Sequence, residues 1–204
     1  MFLVRKFLAL IYSFSLTALL IVPAMQIRAQ DTHQTWAFGI GYGAMLGINE
    51  SKNNAVVFED RIEAIAFNGL TPGVSPELGL SFFTLHSKDT GTSTSYKTNM
   101  IAPDLRVRIS YLASTKWFPY LNLGFGVALY DVVDKPSAAA PNAFLSDATL
   151  FLPLGLGLFH QFSDHLGIDV NVNLCPSLSD DINPVHDGRP DAWWSSSVSL
   201  LIVL

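Results

Sequence analysis

The chain has 204 residues, enough for one domain; half are hydrophobic, 14 % are charged, and the formal net charge is −5. That acidic balance argues against a nucleic-acid partner, which calls for a basic patch. Beyond the N-terminus no apolar run reaches the roughly 18 residues of a spanning helix, and the single cysteine, Cys175, excludes an internal disulfide.

Residues 1–29 read as an export signal. Arg5 and Lys6 precede the apolar stretch Phe7–Val22, Pro23 breaks it, and Ile27 and Ala29 stand where a cleavage site needs small or aliphatic residues. Residues 30–204 are then the mature domain. An uncleaved helical anchor is the alternative.

The first strand is expected over Trp36–Gly47. Trp36, Phe38, Ile40, Tyr42, Ala44 and Leu46 alternate with Ala37, Gly39, Gly41, Gly43, Met45 and Gly47. Period-two alternation gives one bulky apolar face and one nearly bare face. A bare face weakens an ordinary strand but suits the inside of a narrow, strongly curved barrel. A second strand near Asp60–Asn68 adds Arg61 and Glu63 to the inner face, although Ile65 and Phe67 fall on that face too. A third, over Glu77–Ser87, has Leu78, Leu80 and Phe82 outside and Glu77, Gly79 and Ser81 inside.

Residues Ile101–Tyr111 set Leu105, Val107, Ile109 and Tyr111 against Asp104, Arg106, Arg108 and Ser110. In a soluble sandwich the charged face would meet solvent. In a membrane barrel it turns inward and the apolar face meets lipid. Leu121–Leu129, Leu150–Leu158, Ile168–Leu174 and Trp194–Leu204 repeat the alternation, the third with Asp169, Asn171 and Asn173 inside and the last with Ser195, Ser197 and Ser199. Leu201 and Val203 break the pattern of the inner face. The expected fold is therefore all-β: a closed antiparallel up-and-down transmembrane barrel of about eight strands. Short links at Gly69–Pro76, Ala113–Lys116 and Ser163–His165 alternate with longer polar ones at Asn49–Glu59, Ser87–Ser95, Val132–Ser146 and Pro176–Asp191. Trp36, Tyr96, Trp117, Tyr120, Tyr130, Trp193 and Trp194 lie near strand ends, as interfacial girdles would require.

Together these segments resemble the small outer-membrane β-barrels, the OmpA-like transmembrane domain and OmpX-like proteins. Asp104–Tyr111 followed by Trp117–Val127 looks like the central hairpin of such domains. Ser199–Leu204 resembles the C-terminal signal read by the outer-membrane assembly machinery, though it ends on Leu where an aromatic is usual. The resemblance implies an outer-membrane location, contact with its lipids, and a possible surface partner at the loops.

Arg61, Glu63, Glu77, Asp104, Arg106, Arg108 and Asp169 are the candidate interior charge network. Unpaired buried charges cost several kcal/mol each, so mutual pairing into a plug is expected. An ion path or gate is the alternative, but aqueous channels belong to much wider barrels. For catalysis, His160, Asp164 and His165 flank a turn, His186 and Asp187 lie in the last long loop, and Ser195–Ser197 are nearby, as lipid-A-modifying barrels invite one to ask. No spacing reproduces such a site, and His160 and His165 lack a third metal ligand. Gly39–Gly43 has the wrong spacing for a dinucleotide fingerprint. The sequence thus predicts no catalytic site, no metal and no cofactor. It leaves structural or surface interaction, narrow transport and lipid-A modification as the functions to separate.

Overall fold

The structure, a computed structural model, describes residues 36–48, 58–68, 73–89, 94–110, 116–134, 146–179, 182 and 190–204. The expected export segment, Tyr111, His186 and Asp187 lie outside the described residues. The strands are β1 (Trp36–Ile48), β2 (Phe58–Asn68), β3 (Gly73–Asp89), β4 (Thr94–Ser110), β5 (Trp117–Asp134), β6 (Ser146–Phe151), β7 (Leu154–Gln161), β8 (Leu166–Pro176) and β9 (Ala192–Val203). Each pairs antiparallel with its neighbours, and β1 pairs with β9. The sheet therefore closes on itself.

Nine segments fill eight positions in the wall. β6 and β7 share one position, with β5 pairing β7 in its first half and β6 in its second. The interruption falls at Leu152–Pro153, because proline has no N–H to give the ladder. Hydrogen bonds across the gap, Gly124 N–H to Pro153 O (2.9 Å) and Leu152 N–H to Pro176 O (3.0 Å), hold the wall together.

The register fixes the barrel's width. Successive inward-facing partners run Phe83, Arg61, Gly43, Ser197, Asn171, Gly157 and Tyr120. One step beyond the Leu121–Ile109 pair puts Tyr120 beside Ser110, and Ser110 pairs with Gly73. The path returns to β3 ten positions from its start. A stagger of ten over eight strands tilts them by about 40° and leaves an interior just wide enough for side chains.

Alternation is as expected along nearly the whole wall. Ile40, Leu78, Leu123, Leu156, Val170 and Leu200 are exposed, while their odd or even counterparts point inward. On β5 the outward run is Pro119, Leu121, Leu123, Phe125, Val127 and Leu129. Ten steps of about 3.3 Å at that tilt span roughly 25 Å, the height of a transmembrane barrel's apolar band.

Three expectations change. β3 begins at Gly73 and β4 at Thr94, so half of the expected link at 69–76 and most of that at 87–95 are strand. Each of these strands has 17 residues. Polar Ser, Thr and Lys stretches that read as loop carry regular ladder pairs from Leu85–Thr98 to Asp89–Thr94. The girdle is also smaller. Trp36, Trp117 and Trp194 face outward, but Tyr120, Tyr130 and Trp193 are buried in the lumen. Their parity decides this: Tyr120 shares a face with Asn122, and Trp193 with Ser195.

Candidate functional site

The lumen is stacked in three layers. At the end where β1 begins and β9 finishes, Ile65, Phe67, Phe159, Leu201 and Val203 pack with Tyr120 into an apolar floor. The Phe67 and Phe159 rings meet edge to face at 5.8 Å. At the long-loop end, Met45, Phe83, Met100, Tyr130, Phe151, Ile182 and Trp193 form an apolar lid around buried Cys175. Ile182 comes from the β8–β9 connection and is tied down on both sides. Its N–H donates to Asp191 Oδ2 (3.0 Å), and its carbonyl accepts from Thr98 Oγ1 (3.2 Å).

Between floor and lid lie all seven residues of the candidate charge network. On β2, Arg61 pairs with Glu63, and Glu63 Oε2 lies 4.0 Å from Arg106 Nη2. On β4, Arg106 reaches Asp104 Oδ1 through Nε (2.6 Å) and Glu77 Oε1 through Nη1 (3.0 Å). Arg108 donates from Nε to Glu77 Oε2 (2.7 Å) and from Nη1 to Asp169 Oδ2 (2.9 Å). The result is one alternating chain: Arg61, Glu63, Arg106 with Asp104 and Glu77, then Arg108 and Asp169. All seven side chains are at most 5 % exposed.

Local sequence dictates this assembly. Asp104, Arg106 and Arg108 sit two apart on one strand and so share a face, as do Arg61 and Glu63. Register places Glu77 opposite Arg106. Room for the guanidinium comes from two neighbours. A Cβ at Gly79 would meet Arg106 Nη2 and Asp104 Oδ1, and one at Gly124 would meet the backbone at Leu105 and Arg106.

A second set of polar side chains, absent from the candidate network, completes it. Glu63 Oε1 accepts from Ser197 Oγ (2.6 Å), Asn171 Nδ2 (3.1 Å) and Ser199 Oγ (3.3 Å). Tyr120 OH donates to Asp169 Oδ1 (2.7 Å), and Ser81 Oγ accepts from Arg61 Nη2 (2.7 Å). The Arg108 guanidinium also lies between two rings, 3.9 Å from the Phe67 centroid and 3.7 Å from that of Tyr120. Desolvated cation–π contacts of this kind each contribute about 2 kcal/mol. The signal for Ser197, Ser199 and Asn171 was present in the inner-face alternation. Tyr120 was hidden by its place near a strand end.

The histidines are elsewhere. His160 Nδ1 lies 3.0 Å from Lys116 O, and its ring stacks on Trp117 at 3.9 Å on the outer surface. His165 Nδ1 lies 3.3 Å from Val203 O. Among the described residues neither imidazole is hydrogen-bonded to a serine hydroxyl; the contact of His165 with Ser163 Oγ (3.4 Å) is through its backbone N–H, and Ser195, Ser197 and Ser199 face the charged layer. Among the described residues no group of three His, Cys, Asp or Glu side chains could hold a metal ion.

Solved structures share this architecture. Neisserial surface protein A aligns with a TM-score of 0.58 at 9 % identity, over 82 % of this chain and 96 % of that one. The fold is that of the small outer-membrane barrels. OprG from Pseudomonas aeruginosa gives 0.57 at 13 % identity, over 84 % of this chain and 97 % of its own. Ail, the attachment invasion locus protein of Yersinia pestis, gives 0.55 at 10 % identity, over 85 % of this chain and all of that one. No family model and no curated protein matches the sequence.

Proposed function

We propose that this protein is an integral outer-membrane barrel with a closed lumen, acting as a structural or surface-interaction protein through its long-loop end. The layered interior carries the reading. Any path along the axis meets the Ile182 and Trp193 lid, the ion-paired chain and the Phe67 and Phe159 floor in turn. A solute or ion would have to displace all three. The outer surface supports membrane residence, because an apolar band of this height running round the closed wall covers far more area than the few hundred Å² that soluble proteins leave exposed. An export signal at residues 1–29, as the sequence leads one to expect, and the likeness of Ser199–Leu204 to an assembly signal would fit delivery through the outer-membrane assembly machinery into its lipids.

Ail, named for attachment and invasion, has the same fold, so the architecture can carry a surface-interaction role; that is analogy at the level of fold. Planar-bilayer recording on purified, folded protein tests the closed lumen, with no reproducible conductance steps expected. Regular steps would overturn the reading in favour of narrow transport. Trimming the loops at residues 49–57 and 135–145 should spare folding and abolish any adhesion that the intact protein confers. Adhesion unchanged by trimming would remove the interaction role. Lipid-A modification has no supporting constellation among the described residues, and an altered lipid-A mass spectrum on expression would restore it.

A further inference from the structure

A small cavity lies where the charged layer meets the lid. Arg61, Asp104 and Asn173 line its polar side, and Phe83, Trp193 and Cys175 its other side. Its volume is about 10 Å³, at the threshold for holding one water and too small for a solute.

Arg106 lines this cavity, and its Nη2 is buried without a hydrogen-bond partner, 4.0 Å from Glu63 Oε2. Two more such groups are Arg61 Nη1, a donor, and Asn173 Oδ1, an acceptor. Both residues are at most 4 % exposed. Their other atoms are engaged: Arg61 Nε and Nη2 donate to Ser81 Oγ, and Asn173 Nδ2 donates to Asn171 Oδ1 (2.9 Å). Asp104 adds a carboxylate whose Oδ1 already accepts from Arg106 Nε. Leaving a buried donor and acceptor unmet costs about 1–3 kcal/mol each.

We propose that this cavity is a binding site for a single internal water, which accepts from Arg61 Nη1 and donates to Asn173 Oδ1 and to Asp104. The chemistry selects water over an ion. A cation would face the guanidinium, and an anion would face the amide oxygen and a carboxylate. One molecule that both donates and accepts satisfies all three, within the two to four partners typical of buried water. It links the β2, β4 and β8 sides of the charged layer, and the aromatic lid shields it from the loop end. The site stands independently of whether the barrel conducts.

A high-resolution crystal structure of the folded protein in detergent tests this. The expected result is one density peak within hydrogen-bond distance of Arg61 Nη1 and Asn173 Oδ1. It should be lost in Asn173→Leu and retained in Asn122→Leu, whose buried amide does not line this cavity. Should Asn173→Leu fail to fold, rotating-frame NMR on the intact protein decides, with cross-peaks expected from a bound water to the Arg61 and Asn173 side-chain protons. An empty cavity with Arg61 turned onto Asp104, a peak carrying anomalous signal after bromide or rubidium soaking, or no water cross-peaks would each overturn the assignment.

Discussion

Along β2, successive inward positions are Arg61, Glu63, Ile65 and Phe67; along β9 they are Ser195, Ser197, Ser199, then Leu201 and Val203. Both strands change character at the same level, from the charged layer to the floor. The two regions share the same wall and the same burial, yet different physics holds them. The floor is held by contact and exclusion of water, and its residues can shift without leaving anything unpaired. The charged layer is held by mutual satisfaction, and each member there depends on specific neighbours. Buried ion pairs add little net stability over apolar packing, but removing one partner is costly because the other stays behind. The layer thus contributes less by attraction than by penalising every arrangement except its own.

The largest effect should come from breaking that dependence at its centre. Glu63→Ala would strip Arg61 of its carboxylate partner, remove one of those around Arg106, and leave Ser197 and Ser199 without their acceptor. We expect a loss of about 3–5 kcal/mol, read as a lower denaturant midpoint for unfolding from lipid vesicles. A midpoint close to wild type would mean that the charges are solvated through the lumen, and the closed interior would fall.

Moving a charge from the inner face to the outer one sharpens the same contrast. Leu156 points outward in the middle of the β7 band and is 62 % exposed. Leu156→Arg places in lipid the same guanidinium that β4 carries twice inside, and should cost about 2–4 kcal/mol near the midplane. The same unfolding assay checks it. A neutral effect would show that this face meets water.

Much of this was legible in the sequence, because side-chain parity along a strand depends on nothing beyond the strand. Asp104, Arg106, Arg108 and Asp169 announced the lumen, and the glycines of β1 announced its narrowness. Three things were not legible. Ile65, Phe67, Leu201 and Val203 looked like faults in the alternation; only the register, which stacks β2 and β9 on either side of β1, reveals them as one floor. The extension of β3 to Asp89 and of β4 back to Thr94 lay hidden in residues of weak strand preference, since cross-strand pairing rather than composition forms them. Tyr120 and Trp193 fitted a girdle by position, and their parity outweighed it.

Tyr120→Phe separates ring from hydroxyl at the border of the two layers. The ring stays against Arg108 and the floor, while Asp169 Oδ1 loses its shortest hydrogen bond and keeps Asn171 at 3.3 Å. Hydrogen bonds to charged groups contribute about 1.5–3 kcal/mol. A loss of about 2 kcal/mol in the unfolding assay is expected, and no loss would mean that Asp169 is satisfied without the phenol.

The smallest effect should come from reshaping the floor alone. Phe159 is 1 % exposed and touches Phe67 and Phe118 through its ring. Phe159→Leu keeps the site apolar and loses some volume, which a contact-held layer absorbs by small shifts of Ile65 and Leu201. The cost should stay near 1–1.5 kcal/mol, below that of Tyr120→Phe, although more atoms are removed. That inversion is the sharpest consequence of the two kinds of packing. Removing one oxygen from a satisfied polar chain costs more than removing several carbons from an apolar one. If Phe159→Leu proved the more damaging of the two, the floor would be a rigid, shape-matched seal, and the distinction between the layers would rest on position along the axis rather than on chemistry.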